Sequence, residues 1–245
     1  MRKIFIGDVH GCLDELKKLC QTLELQADDE VIFVGDLLDK GPDSVGVVRF
    51  VRELAATHKV ILVKGNHEWK HERFRKRSAD STMTIRGELV EITDLLSPED
   101  VQFLDSALGY YKTGDHLVVH GGIPGSLEEL PTPPDMVGIS AKMRGVFEKL
   151  FMTRYLSAET GKMLSLGTQG PGDPFWTAVY DGRFGRVVFG HEAFLSGPQI
   201  TDHAVGIDTG CVFGGSLTAL VVENGTESFV SVPAAQAWAH RIHED

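Results

Sequence analysis

Cysteine is scarce in this 245-residue chain. Cys12, Cys20 and Cys211 are odd in number and contain no C-x-x-C pair, so there is no disulfide framework to build on, and a reduced, cytoplasmic compartment is expected. Long hydrophobic runs are missing as well. No stretch of about 18 apolar residues occurs, which excludes a membrane-spanning helix. Met1-Arg2-Lys3-Ile4-Phe5-Ile6 runs straight into a strand-like segment without an apolar signal region, so a soluble, unprocessed protein is expected. Positive charge is in deficit: 24 Lys and Arg against 35 Asp and Glu give a net charge of −11. Broad binding to nucleic-acid backbone needs a basic stripe and is excluded on this ground. A phosphate-bearing substrate is not excluded, because bound metal ions can reverse local charge. Internal repeats and low-complexity tracts are also absent. The length suits one α/β domain over residues 1–245, with a core buried on both faces.

One pattern dominates what is there. A short apolar run is followed at once by glycine and a polar residue. Ile4-Phe5-Ile6 leads to Gly7-Asp8-Val9-His10-Gly11, and Val31-Ile32-Phe33-Val34 leads to Gly35-Asp36. Val60-Ile61-Leu62-Val63 leads to Lys64-Gly65-Asn66-His67-Glu68. Leu117-Val118-Val119 leads to His120-Gly121-Gly122, and Val187-Val188-Phe189 to Gly190-His191. Continuous runs of this kind are strands buried on both faces. Residues 13–25 and 44–57 carry helical periodicity between the first three runs. Asp8 and Asp36 lie 28 positions apart, and Asp36 and Asn66 lie 30 apart, one βαβ unit each. Right-handed crossovers then gather the strand ends at one edge of a sheet, where ligands bind in open α/β sheets. Charged, mostly helical residues 69–116 and Pro/Gly-bounded residues 123–180, helical around 139–157, are expected to be excursions over that edge. Ser97-Pro98-Glu99-Asp100 is a helix start, and Asn224-Gly225 between two apolar runs is a hairpin turn, which makes the sheet mixed.

Asp8, His10, Asp36, Asn66, His120 and His191 therefore collect at the strand ends. Carboxylate, imidazole and amide oxygen together suit manganese, iron or zinc. Two such ions side by side can clamp both ends of a phosphoryl displacement, and Asp36, on a central strand, is placed to bridge them.

The segments G-D-V-H-G (7–11), G-D-L-L-D-K-G (35–41), G-N-H-E (65–68), H-G-G (120–122) and G-H (190–191) closely resemble the calcineurin-like metallophosphoesterases. More narrowly they resemble the phosphoprotein phosphatase branch, which includes symmetrical diadenosine tetraphosphate hydrolases. Residues 206–218, running from Gly206 through Gly210-Cys211 to Thr218, resemble the end of those bacterial hydrolases. The resemblance implies a four-layer αββα fold with two packed sheets. It assigns Asp8, His10 and Asp36 to one divalent metal ion, and Asp36, Asn66, His120 and His191 to a second, manganese being the expected metal. It implies in-line attack on phosphorus by a water or hydroxide bridging the ions. His67 would protonate the leaving oxygen and Asp39 would orient its imidazole. Asn66 and Lys40 would hold substrate phosphate. Lys40 departs from the usual Asp-Arg-Gly of the branch, offering a point charge where arginine offers a fork.

A second phosphate-gripping arginine is expected later, with Arg183 and Arg144 as candidates. Residues 70–77, Lys-His-Glu-Arg-Phe-Arg-Lys-Arg, are the most basic stretch of the chain, and their position after His67 suggests contact of Arg73, Arg75 and Arg77 with a polyanion. The expected activity is hydrolysis of nucleoside polyphosphates such as diadenosine tetraphosphate. A protein serine/threonine phosphatase is the alternative, and a non-catalytic phosphate-binding regulator the remote one.

Overall fold

The structure is a computed structural model that describes residues 1–78, 87–132, 134–136 and 138–240, the side chains of residues 77 and 78 excepted. The first sheet contains β1 (Lys3–Ile6), β2 (Glu30–Phe33) and β3 (Lys59–Leu62), joined in parallel by α1 (Leu13–Leu23) and α2 (Ser44–Leu54). The apolar spacing of Leu16, Leu19 and Leu23 buries one face of α1, and Glu24 at φ 47° ends it. Asp43 caps α2 by accepting from the Gly46 N–H at 2.7 Å. After β3 the chain enters α3 (Asn66–Ser78), then α4 (Glu88–Leu95) and α5 (Pro98–Asp105). Next come β4 (Tyr111–Thr113), β5 (His116–Val118), α6 (Ala141–Met152), β6 (Arg186–Phe189), β7 (Gln199–Ile200) and β8 (Ala204–Gly206). The hairpin of β9 (Ser216–Glu223) and β10 (Thr226–Pro233) closes the chain, turning at Asn224 (φ 50°) and Gly225 (φ 80°) as the Asn-Gly pair requires.

The strands form two five-stranded mixed sheets, ordered β10-β9-β1-β2-β3 and β4-β5-β6-β8-β7. Side-chain alternation stacks them. Phe5 on β1 points to one face and packs with Ile32, Val118, Val188, Val205 and Leu220 in a core between the sheets. Its neighbours Ile4 and Ile6 point the other way, with Val31 and Phe33, onto Leu16, Leu19, Val48 and Val51 of α1 and α2. On the second sheet Leu117, Val187 and Phe189 face outward to Phe147 and Leu150 of α6 and to Trp176. Helix, sheet, sheet and helix are thus four layers. Removing a ring such as Phe5 from the middle core would cost on the order of 3–5 kcal/mol.

The expectation that all five junctions share one sheet needs correction. Three of them end β1, β2 and β3, while those at His120 and His191 follow β5 and β6 of the second sheet. Runs buried on both faces look the same in sequence whichever sheet they join. Strands β4, β7 and β8 had not been anticipated. β4 lies inside a stretch read as helical, and β7 and β8 are two and three residues long, too short for a periodic signal.

Candidate metal centre

Asp36 organises the site. It sits just beyond β2 at φ 53°, a left-handed conformation that costs a non-glycine residue energy. Glu68 holds this turn, its carboxylate accepting from the backbone N–H groups of Asp36 (2.8 Å), Leu37 (2.8 Å) and Gly65 (2.9 Å). Asp36 Oδ1 accepts from the His67 N–H at 2.9 Å. Its Oδ2 lies 3.5 Å from His10 Nε2, 3.3 Å from His120 Nε2 and 3.9 Å from His67 Nε2. The motif glycines make room for the carboxylates. A Cβ on Gly65 would stand 2.1 Å from Asp36 Oδ1, and one on Gly190 would stand 1.9 Å from Asp8 Oδ1.

The imidazoles are oriented from behind. Nδ1 of His10 faces the Leu38 carbonyl at 2.8 Å, and Nδ1 of His120 faces the Val34 carbonyl at 3.0 Å. A carbonyl only accepts, so each Nδ1 carries the proton and each Nε2 is turned inward. Asn66 Oδ1 meets His120 Nε2 at 3.0 Å. Asp8 accepts from the His191 N–H at 3.0 Å through one oxygen. Its other oxygen, Oδ1, and His191 Nε2 are buried with no hydrogen-bond partner among the described residues. Such orphans are rare in folded proteins, and they ask for an occupant.

Charge points the same way. Burial, and after it the nearby carboxylate of Asp208, pushes Asp8 well above the usual carboxylate range. Burial also raises Asp208. Asp36 is held well below that range because the surrounding imidazoles outweigh its burial. Burial lowers His120, but Asp36 and Asp8 more than offset this and hold it at about 9. Burial, then Lys40, keeps His10 well below its ordinary value, and burial, then Arg154, does the same to His191. Inward-turned imidazole nitrogens, the one on His191 without a partner, crowded carboxylates and the orphaned Asp8 Oδ1 form a donor set for cations, and a bound cation would displace the proton that the carboxylates hold on His120. Ligand atoms within 4.8 Å of one another form two groups, His10–Asp36–His67 and Asp36–His120–His191, and they share Asp36. The donors present therefore fit divalent cations, with Asp36 common to both groups.

Around this centre the residues flagged by sequence fall into place unevenly. His67 Nδ1 meets Asp39 Oδ2 at 2.5 Å. Asp39 also takes Lys70 on that oxygen and His71 Nε2 on Oδ1 at 2.8 Å, and His71 Nδ1 reaches Thr93 Oγ1 at 3.1 Å. Despite its burial, Asp39 is held far below the usual carboxylate range by these donors, His67 foremost. Residues 67, 70 and 71 lie one turn apart on α3, which puts all three on the face turned to Asp39. Lys40 brings its ammonium to 3.0 Å from His10 Nε2 and 5.3 Å above the Phe213 ring.

Arg183 lies elsewhere: it donates to the carbonyls of Leu127 and Gly125 and to Asp181. Arg144 lies 5.8 Å over the Trp69 ring. The arginine beside the cluster is Arg154, which donates to the His191 carbonyl at 3.0 Å and to Glu192 Oε2 at 2.7 Å.

Sequence reasoning missed Arg154, Glu68 as a brace, Lys70, His71 and Asp208. Only Asp208, just after a short strand and followed by Thr-Gly, repeated the strand–Asp signal of Asp8 and Asp36. The basic run on α3 has acidic partners: Lys70 pairs with Asp39, Arg73 with Glu148 at 3.6 Å, Arg75 with Asp105 and Lys76 with Glu72. The side chain of Arg77 is outside the described residues. A further buried trio, Cys12, Glu15 and Cys211, is a different case. The Cys211 thiol is pushed up by its hydrogen bond with Cys12 and by burial, so it remains a thiol that packs as a small apolar group.

Residues 1–194 match the family of calcineurin-like phosphoesterases. The chain belongs to this family. It is 32% identical to the asymmetrical bis(5'-nucleosyl)-tetraphosphatase PrpE of Halalkalibacterium halodurans, over 94% of this chain and 93% of that one. It is 30% identical to the symmetrical bis(5'-nucleosyl)-tetraphosphatase of Cellvibrio japonicus, over 90% and 95% of the two chains. The crystal structure of a candidate diadenosine tetraphosphatase superposes with a TM-score of 0.74 at 27% identity, covering 95% of this chain and 93% of that one. A serine/threonine phosphatase from Saccharomyces cerevisiae shares the fold at 15% identity, with a TM-score of 0.62, over 99% and 82%. As a calcineurin-like phosphoesterase the protein is a hydrolase of phosphate ester or anhydride bonds that works with divalent metal ions. None of the described helices is long and apolar enough to cross a membrane.

Proposed function

We propose that this phosphoesterase hydrolyses nucleoside polyphosphates of the diadenosine tetraphosphate type in the cytoplasm, with two divalent ions, manganese first among them. The observation that carries the metal reading is the pair of orphaned atoms, Asp8 Oδ1 and His191 Nε2, together with the two ligand groups that share the carboxylate of Asp36. Asp8, His10 and Asp36 would hold one ion, and Asp36, Asn66, His120 and His191 the other. What the ions supply, when bound, is a water acidic enough to serve as nucleophile near neutral pH and charge to balance the phosphoryl oxygens.

The remaining roles belong to side chains of the chain itself. His67, fixed by Asp39, delivers a proton to the leaving oxygen through Nε2, the ring atom not bound to Asp39. Asn66 offers its amide to substrate phosphate. Lys40 brings a point charge from the His10 side. Arg154 has N–H groups beyond those bonded to Glu192 and His191 and would meet phosphate from the His191 side, taking the second-arginine role for which Arg183 and Arg144 were the sequence candidates.

The substrate class is supported by similarity to relatives named as tetraphosphatases, both symmetrical and asymmetrical. Lys40 in place of the branch's arginine supports it too. Purified protein with manganese should be offered diadenosine tetraphosphate and a phosphoserine peptide side by side. Turnover of the dinucleotide with kcat/KM at least tenfold above the peptide is expected. The products report the bond cut: two nucleoside diphosphates for a symmetrical cleavage, a mono- and a triphosphate for an asymmetrical one. A preference for the peptide would replace this reading with that of a protein phosphatase.

A further inference from the structure

Arg183 is conspicuous in the sequence but takes no part in the metal cluster. Its guanidinium is nonetheless fixed in place. It donates to the carbonyls of Leu127 (3.1 Å) and Gly125 (3.3 Å) and to Asp181 (2.9 Å), and lies over the rings of Tyr180 (5.9 Å) and Phe184 (5.3 Å). This flat, ordered cation borders a cavity of about 300 Å³ whose walls include Leu156, Trp176, Val179 and Tyr180. Ser126 and Ser157 add hydroxyls to the lining.

Two segments that leave the metal centre build this cavity. Ile123, on its wall, follows His120 by three residues, and Leu156 follows Arg154 by two. Three residues of chain span at most about 10 Å, so the wall begins within the reach of a nucleotide whose phosphate lies on the cluster. The two loops close on each other where a Cβ on Gly125 would stand 2.8 Å from the Gly161 carbonyl oxygen.

We propose that this cavity receives one nucleoside of a nucleoside polyphosphate, a deepening that rests on the substrate reading given above. The guanidinium of Arg183, held by three acceptors, offers a flat face on which a base can stack, and the buried rings of Trp176 and Tyr180 form the apolar wall beside it. The hydroxyls suit ribose or base edges, and the positive charge of Arg183 at the border suits the phosphate chain leading in. At about 300 Å³ the cavity is at the small end of ligand sites, which fits one nucleoside and leaves the other outside. An extended phosphopeptide would place at most one side chain in a recess of this size.

The test compares diadenosine tetraphosphate with inorganic tripolyphosphate, which carries the phosphates without the base. Val179→Trp and Ala158→Trp fill the cavity from exposed positions on two different segments, and Arg183→Ala removes the cation. The ratio of kcat/KM for the dinucleotide to that for tripolyphosphate should fall at least tenfold in both filled variants, mainly through KM, and by a smaller factor in Arg183→Ala. If the wild type turns over the dinucleotide but the ratio stays within twofold of wild type in both filled variants, the cavity is not a nucleoside site, and the substrate reading survives. If turnover of a phosphoserine peptide falls in parallel with the dinucleotide, the cavity is a peptide site and the proposal is overturned. If the wild type does not turn over the dinucleotide at all, the substrate reading itself fails.

Discussion

Strain in this protein is concentrated on single residues of the site. Among the described residues seven non-glycine positions have positive φ, and five of them, His10, Asp36, Asp39, Lys40 and His191, surround the metal cluster. Each such conformation costs on the order of 1 kcal/mol or more, and the surrounding structure must overdetermine it. Glu68 does this for Asp36 by fixing three backbone N–H groups. Asp36 belongs to both ligand groups, so Asp36→Asn should deplete both ions, while His120→Ala should deplete mainly one. Elemental analysis of the purified variants reads this directly, and equal loss of both ions in the two variants would contradict separate ligand sets. His67→Asn should retain metal and lose about 10²–10⁴ in rate on a poor leaving group. The loss should shrink with p-nitrophenyl phosphate, whose leaving group departs without a proton. His71 acts one step further back. His71→Phe leaves Asp39 Oδ1 buried without its donor and lets the carboxylate turn, at a cost of about 10- to 100-fold on the same poor leaving group. His71→Gln, which keeps an N–H, should recover most of that loss.

At the scale of elements, α3 shows why charge read along a chain differs from charge on a surface. The basic run 70–77 suggested a polyanion contact, yet its described cations answer Asp39, Glu148, Asp105 and Glu72. Replacing Arg73 and Arg75 with glutamine should therefore shift the KM for diadenosine tetraphosphate by less than about twofold. Exposed pairs of this kind contribute only about 0–1 kcal/mol to stability. Helix α5 makes the opposite case, because its start was legible. Ser97 Oγ accepts from the Asp100 N–H at 3.2 Å, and Asp100 Oδ2 accepts from the Ser97 N–H at 3.0 Å, a reciprocal capping box. Burial raises the Asp100 carboxyl, but its bonds to Ser97 and the charges of Arg52 and Arg49 win and lower it. A depressed carboxyl stabilises the fold fully above its unfolded value, about 3.9, and that contribution is lost as pH falls through the lower folded value. Denaturant titrations should find Asp100→Asn less stable than wild type at neutral pH, with the gap narrowing as pH falls below the unfolded carboxyl's value. A gap that persisted there would mean Asp100 acts by shape alone.

At the scale of the whole molecule the candidate metal centre lies where the two sheets meet. Asp8, Asp36 and Asn66 come from the first sheet and its following helix, and His120 and His191 from the second. Bound ions would tie the sheets at one end and offset the repulsion between Asp8, Asp36 and Asp208. Chelation should abolish turnover and lower Tm together, and manganese should restore both. By linkage a ligand at 100 times its Kd stabilises the native state by about 2.7 kcal/mol, a shift that calorimetry resolves. Full turnover in protein shown metal-free by elemental analysis would remove the metal from the mechanism.

The sequence by itself determined the strand–glycine–ligand junctions, since a buried β-branched run followed by Gly and a donor is a local pattern. It determined the amphipathic faces of α1 and α2, the cap at Ser97 and the turn at Asn224-Gly225 for the same reason: each is settled by residues within a few positions of one another. The tertiary structure alone decided how five junctions divide between two sheets, because two-faced burial carries no label of the partner sheet. It decided that Arg154 and not Arg183 borders the cluster, and that His71 braces Asp39. Arg154 lies 37 residues from His191, and His71 lies 32 from Asp39. No periodicity spans such distances; only packing brings those atoms together.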